Sequence, residues 1–263
     1  MSHGSTHPIG APFWIETLQP SVPDAVDFYT QVFGWTVDDP GGSHGPAVAR
    51  LGDHRAAGIC AAPEAVPPTW LIHVRVDDID DTIAEAQAAG GSCLLPSLDR
   101  GNGGRVAVIA DSSGVPFCVN DGGAAEGVET SSEPGAWSMA SLHAPDREAA
   151  QTFYGAVFGW QLEDVPGAPF SRWSLDGRTL GLLSVGSDTP PHWAINIAIS
   201  DADDTATLVE SLGGTVILGP FDTESHRNVV IADPAGAVLA CSEWLIDNGH
   251  SSEGVRLAQG DGH

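Results

Sequence analysis

The chain has 263 residues and a formal charge of -25, from 35 acidic and 10 basic side chains. A field that acidic repels phosphate backbones and anionic lipid, which excludes nucleic acid and membrane surfaces as partners. A hydrophobic content of 42% with 8 Trp excludes a disordered chain.

Residues 1–9 read as a loose leader with no Lys, no Arg and no apolar run, unlike a secretory signal. Pro12–Gln19 reads as a strand. A helix follows, with Ser21 as N-cap and Asp24 three residues on, the pattern of a capping box. Val26, Tyr29, Val32 and Phe33 share one helical stripe, and Gly34 stops the helix. Short strands are expected near Thr36–Val37, Ala47–Leu51 and Arg55–Cys60. A second strand–helix unit opens with Trp70–Val76; Asp78 caps its helix and Gly90-Gly91 ends it. Strands near Ser92–Leu95, Arg105–Ala110 and Val115–Asn120 complete that unit. Asp121–Pro134, rich in Gly, Glu and Ser, reads as a linker. Beyond it come a strand at Trp137–His143, a helix to Val157, a strand at Trp193–Ile199 and a helix capped by Asp201. Gly213-Gly214 ends that helix, and strands at Val229–Ala232 and Val238–Ser242 precede a polar tail.

The second half repeats the first. Phe28-Tyr29-x-x-Val32-Phe33-Gly34-Trp35 returns 125 residues on as Phe153-Tyr154-x-x-Val157-Phe158-Gly159-Trp160. The pairs Arg55/Arg178, Trp70/Trp193 and Gly90/Gly213 all keep a spacing of 123. A repeat outranks other sequence signals because it sets the architecture. It divides the chain into residues 10–121, a linker at 122–134, residues 135–245 and a tail at 246–263, each repeat being β-α-β-β-β written twice. No window reaches the roughly 20 apolar residues of a spanning helix. Cys60, Cys93, Cys118 and Cys241 lie in apolar stretches without C-x-x-C spacing, so buried free thiols in a reducing cytoplasm are expected.

These motifs resemble the vicinal oxygen chelate superfamily, which includes glyoxalase I, bleomycin-resistance proteins and extradiol dioxygenases. The resemblance is carried by Asp27-Phe28-Tyr29-x-x-Val32-Phe33-Gly34-Trp35 and its echo, by Val76-Asp77-Asp78, and by the turns Asp111-Ser-Ser-Gly114 and Asp233-Pro-Ala-Gly236. It covers nearly everything from Gly10 to Trp244 and is most similar to tandem glyoxalase-like proteins of actinobacterial type. It implies an α+β fold of two tandem glyoxalase-like domains. Each would be a pair of βαβββ modules forming a cupped eight-stranded sheet around a small organic molecule. In metal-dependent members His, Gln or Glu from the first and last strands of each module hold a divalent ion. Carried over by motif, those positions fall on Trp14, Leu71 and Cys118 in the first repeat, and on Met139, Ala194 and Ala240 in the second. A lone Cys cannot hold an ion, so no metal and no other cofactor is expected at these positions.

Strand residues two apart share a face. Glu16, His73 and Asn120 each lie two beyond a lost ligand position and can converge one layer deeper in the first cup. Three readings stay open for Glu16 and His73: a thin displaced metal layer, a buried hydrogen-bonded pair, or groups that orient a ligand or move a proton. In the second cup the matching faces offer Ser141, His143 and Asn196, a different polar set on the same scaffold. Trp14, Trp70 and Trp193 are assigned to the cup side as an aromatic wall for a flat ligand, with large core filler as the alternative. His44, His54, His192 and His226 lie beside turns and are expected at the surface.

No Gly-rich nucleotide motif and no G-x-S-x-G elbow occurs. Three functions follow: a metal-independent small-molecule binder of bleomycin-resistance type, a metal-free lyase or isomerase working through His73 and Glu16, or a metal-dependent glyoxalase or dioxygenase. The chain is expected as monomer or homodimer.

Overall fold

The computed structural model describes residues 7–38, 46–100, 104–121, 127–128, 131–186 and 188–245. Most of the linker, the tail at 246–263 and His44 lie outside them. The first half holds β1 (Pro12–Gln19), α1 (Val22–Phe33), β2 (Thr36–Asp38), β3 (Ala47–Leu51) and β4 (His54–Ala61). A second unit follows: β5 (Thr69–Arg75), α2 (Ile79–Ala88), β6 (Ser92–Asp99), β7 (Arg105–Ala110) and β8 (Pro116–Asn120). The second half gives β9 (Trp137–Ala144), α3 (Arg147–Phe158), β10 (Gln161–Asp164), β11 (Phe170–Leu175) and β12 (Arg178–Val185). It closes with β13 (His192–Ile199), α4 (Ala202–Ser211), β14 (Thr215–Asp222), β15 (His226–Ala232) and β16 (Val238–Trp244).

Each half is an eight-stranded mixed sheet, ordered β2-β3-β4-β1-β5-β8-β7-β6 and β10-β11-β12-β9-β13-β16-β15-β14. Two βαβββ modules meet where their first strands pair antiparallel, β1 with β5 and β9 with β13. The last strand of each module returns parallel to its first. These are two tandem glyoxalase-like domains. The elements differ from expectation mainly in length: β6 runs four residues past Leu95, which matters for the site below.

The helices start and stop where local chemistry dictates. Ser21 accepts from the Asp24 N–H, and Pro23 sits in the first turn, where no N–H is missed. Asp78, Asp146 and Asp201 cap the other three helices in the same way. Gly34 and Gly159 close α1 and α3 in the left-handed region, which costs glycine nothing. The buried stripe of α1 includes Phe28, Tyr29 and Phe33, and that of α3 includes Phe153, Tyr154 and Phe158.

The repeated motif joins the domains. Tyr29 Oη donates to Asp233 Oδ2 at 2.7 Å, and Tyr154 Oη donates to Asp111 Oδ2 at 3.1 Å. Each Asp meanwhile organises its own D-x-x-G turn: Asp111 Oδ1 accepts from the Ser113 and Val115 N–H groups, and Asp233 Oδ1 from those of Ala235, Gly236 and Ala237. Trp35 Nε1 donates to the Gly135 carbonyl at 2.7 Å, and Trp160 Nε1 to that of Gly10 at 2.6 Å. Gly10 and Gly135 have positive φ, and a Cβ on Gly135 would stand 2.6 Å from the Phe33 carbonyl oxygen. The domains thus pair within one chain about a pseudo-twofold axis, helix faces inward.

Tyr29→Phe removes a charge-assisted hydrogen bond from a fully buried carboxylate cluster. It is expected to cost about 2 kcal/mol in urea unfolding, as is Tyr154→Phe at the related position. An unchanged midpoint in both variants would show that the bonds contribute nothing.

Candidate functional site

Alternation along β1 sends Trp14, Glu16 and Leu18 to the face opposite the helices. The register sets Trp14 beside His73 and Glu16 beside Leu71 on β5, with Cys118 of β8 beside His73 in turn. This concave face is cup one. Leu18, Leu71 and Cys118 form a small apolar cluster of their own, flanked by Cys60, Ala62, Val66, Val106 and Val108. Within it Glu16 is 3% exposed and His73 is 0% exposed. Gly58 lies beside Glu16; a Cβ there would stand 3.1 Å from both Glu16 Oε2 and Trp14 Nε1.

A buried carboxylate requires a partner. Arg100, one residue past β6, supplies it: Nη2 lies 3.0 Å from Glu16 Oε1 and 2.9 Å from Oε2. The Arg100 N–H is held by the Gly104 carbonyl at 3.0 Å. Burial raises the Glu16 carboxyl pKa, but His73, then the charge and hydrogen bonds of Arg100, outweigh it, and the net direction is downward. Glu16 is therefore a carboxylate neutralised by a guanidinium. His73 Nε2 stands 3.8 Å from Glu16 Oε1, too far for a hydrogen bond. Among the described residues neither His73 nitrogen has a hydrogen-bond partner. Burial pushes the His73 imidazole down to about 4, with Glu16 opposing, so the ring is neutral near pH 7. Burial, then the Glu16 charge, pushes the Cys60 thiol up, and burial does the same to Cys118. Neither offers a thiolate. Asn120 is buried on β8 two residues beyond Cys118, on the same face.

Trp70 and Trp193 do not face the cups. Trp70 lies three residues from His73, so strand alternation turns it to the helix side, where Nε1 donates to Tyr29 Oη at 3.0 Å. Trp193 Nε1 donates to Tyr154 Oη at 2.9 Å in the same way. Both belong to the core between the domains. Of the three tryptophans assigned to an aromatic wall, only Trp14 stands on the cup face.

The matching face of the second domain, cup two, has other contents. Met139, Ser141 and His143 on β9 and His192, Ala194 and Asn196 on β13 are all half-exposed, whereas Trp14, Glu16, Leu71 and His73 are buried. Asn196 Oδ1 accepts from Ser138 Oγ at 3.0 Å, and its Nδ2 donates to Ser242 Oγ at 2.7 Å. Ser242 Oγ donates in turn to Asn228 Oδ1 at 2.6 Å. His192 is not a free surface residue: it pairs across strands with His143, the rings stacked at 4.6 Å and 4°. His54 is exposed as expected, and His226 packs on Trp244 with ring centroids 4.2 Å apart. All four cysteines are free, but Cys60 and Cys93 are only partly buried.

Metal-dependent members of the resembled superfamily hold a divalent ion, and the residues present here do not fit one. The inherited ligand positions carry Trp14, Leu71, Met139, Ala194 and Ala240, none with a donor for a hard cation, plus the protonated thiol of Cys118. Both oxygens of the displaced carboxylate already face Arg100, whose charge repels a cation. Among the described residues no three His, Cys, Asp or Glu side chains gather in a metal-holding group. Nor is any helix there long and apolar enough to cross a membrane.

The paired βαβββ modules and their outward-facing cups define a two-domain protein of the vicinal oxygen chelate superfamily. The chain belongs to the glyoxalase-like domain family, whose model matches residues 15–120 and 139–241. It is 33% identical over 256 residues to the anthracycline biosynthesis protein DnrV of Streptomyces peucetius, covering 89% of this chain and 93% of that one. Its fold is shared with a Mn(II)-bound glyoxalase from Novosphingobium aromaticivorans (TM-score 0.58, 19% identity, 89% of this chain and 82% of that one). It is shared also with the 2,3-dioxygenase LapB from Pseudomonas sp. KL28 (TM-score 0.57, 14% identity, 89% and 91%).

Sequence reasoning missed Arg100, which lies 84 residues from its carboxylate. The available signal was the need of Glu16 for a counter-charge, together with a strand prolonged beyond Leu95.

Two predictions follow from cup one. Arg100→Met leaves the Glu16 charge buried and is expected to cost about 3 kcal/mol, while Glu16→Leu added to it recovers most of the loss. Denaturant titration of both variants checks this; equal losses in single and double variants would contradict it. The second concerns acid. A depressed imidazole pKa means the unfolded chain, titrating near 6.5, binds a proton that the folded site refuses down to about 4. Stability from this group is full above 6.5 and falls as pH drops toward 4. Melting curves should show wild type losing more stability than His73→Asn across that window. Parallel curves would mean that the imidazole is not refused its proton.

Proposed function

We propose that this protein binds a small organic molecule without a resident metal, with cup one as its principal site. One observation carries the reading. A fully buried imidazole with two unpartnered nitrogens sits beside an Arg100–Glu16 pair inside an apolar enclosure. Buried polar groups are nearly always paired, so His73 is a group awaiting a ligand or an ordered water. An apolar chamber with a few convergent polar groups is how proteins hold organic molecules. His73 presents one donor and one acceptor in its neutral form, and Trp14 and Leu71 supply flat and apolar surface. Net charge at the Arg100–Glu16 pair is close to zero, which suits a neutral ligand. Sequestration, as in bleomycin-resistance proteins, requires no more than this. The anthracycline-biosynthesis name of DnrV supports a setting in secondary metabolism.

A second reading rests on the same imidazole. A neutral His73 can take a proton from a bound substrate, with Glu16 stabilising the imidazolium, and the protein is then a metal-free lyase or isomerase. Turnover abolished by His73→Asn with binding preserved would select this reading over sequestration.

Native mass spectrometry of the purified protein tests the proposal. The expected result is a mass and a melting temperature that do not respond to chelator or to added Mn(II). Any organic adduct, of some hundreds of daltons, should be lost in Leu71→Trp, which fills cup one. An adduct of some tens of daltons per chain that chelator removes would overturn the metal-free reading.

A further inference from the structure

We propose that cup two is a second, independent binding site whose ligand is a neutral, planar aromatic molecule bearing hydroxyl or carbonyl groups. This rests on the reading that the cups hold small molecules, and it assigns to the second cup its own ligand chemistry.

Three observations point there. The first is accessibility. Met139, Ser141 and His143 of β9 and His192, Ala194 and Asn196 of β13 are half-buried on the cup face, while Trp14, Glu16, Leu71 and His73 on the equivalent faces of β1 and β5 are buried. The second is the set of polar groups. Ser138, Asn196, Ser242 and Asn228 form one hydrogen-bonded chain across the cup, each fixed by the next. A chain held in place in this way presents its remaining donors and lone pairs in set directions, without the ordering cost that free side chains incur. None of these groups is charged. The cup-facing positions of β9, β13 and β16 hold no carboxylate, ammonium or guanidinium; on that face Arg172 and Glu163 of the outer strands β11 and β10 neutralise each other at 2.8 Å, away from the chain. An overall charge of -25 further disfavours an anion.

The third observation is the ring pair. The His143 and His192 rings stand almost parallel at 4.6 Å on neighbouring strands. His192 Nδ1 lies 2.8 Å from the Pro190 carbonyl, which can only accept. Nδ1 therefore carries a proton, and in the singly protonated tautomer Nε2 faces a ligand as an acceptor for a hydroxyl. A flat ring laid on this pair extends the stack, which favours planar ligands over compact aliphatic ones. Half-buried Leu182 beside Ser141 and Val230 beside the Ala240 position give apolar side walls.

The test is isothermal titration of the full chain with 7-hydroxycoumarin, 2-naphthol and 1-hydroxyanthraquinone as neutral probes. Coumarin-3-carboxylate serves as the anionic control, all at about pH 7, where an ordinary imidazole is mostly neutral and the naphthol and most of the coumarin phenol are un-ionised. At least one neutral probe is expected to bind saturably and the anion to bind more weakly. Asn196→Leu should weaken that binding about tenfold. Because Asn196 also fixes its neighbours, Ala194→Phe provides a second variant that fills the open cup from a position with no hydrogen-bonding role; it should abolish binding with the melting temperature unchanged. His73→Asn, in cup one, should leave it intact. Binding lost in His73→Asn but kept in Ala194→Phe overturns the cup-two assignment while leaving cup-one binding standing. Preference for the anion overturns the ligand class. Saturable binding of none of the neutral probes overturns the proposal, and the mass-spectrometric result for cup one then decides separately whether the chain binds organic molecules at all.

Discussion

The hydroxyl of one helical tyrosine on the carboxylate of the opposite domain is the contact on which the architecture turns. Tyr29 reaches Asp233, and Tyr154 reaches Asp111. Each carboxylate has a second duty, since it folds the turn that feeds the last strand of its own domain. Domain closure and domain pairing therefore share two aspartates. The indole donors of Trp70 and Trp193 complete the same two clusters, and Gln19 Nε2 is a second side-chain donor to Asp233, at 2.6 Å. This arrangement commits one face of each sheet to the interface between domains. The other face, the cup, carries none of the pairing residues.

That separation explains how the repeats could diverge. The motif residues Phe28, Tyr29 and Trp35 and their echoes face the shared core, where packing and hydrogen bonds tolerate little change. The cup faces are released from that duty. In the first domain the released face carries an ion pair and a lone imidazole inside an apolar enclosure; in the second it carries half-buried amides, hydroxyls and stacked imidazoles. The same register positions hold His73 and Asn196, Glu16 and Ser141, Asn120 and Ser242. Nothing about pairing the domains forces either set.

Much of this was legible in the sequence, for identifiable reasons. The repeat of Phe28 to Trp35 at a spacing of 125 is long and specific, and it fixed the two-domain fold. The period of two along a strand was enough to bring Glu16 and His73 to one face. The same rule, applied to Trp70 and Trp193 through an assumed face rather than through their three-residue offsets from His73 and Asn196, placed those side chains on the wrong side. Arg100 escaped because its partner is non-local: a strand that runs four residues further than its apolar pattern carries it over the cup. The His143–His192 stack escaped because His192 opens β13 next to two prolines and so reads as a turn residue.

The proposed metal-free character of cup one is the claim from which the rest of the functional account follows. It depends on Arg100 holding the carboxylate that a cation would need, with His73 left as a neutral, unpartnered ring. Anomalous diffraction at the manganese edge from crystals grown with Mn(II) tests it most directly. The account predicts no anomalous peak within either cup and an Arg100 guanidinium in contact with both oxygens of Glu16. A peak bonded to Glu16 and His73 at about 2.1 Å, with Arg100 swung away, would contradict it.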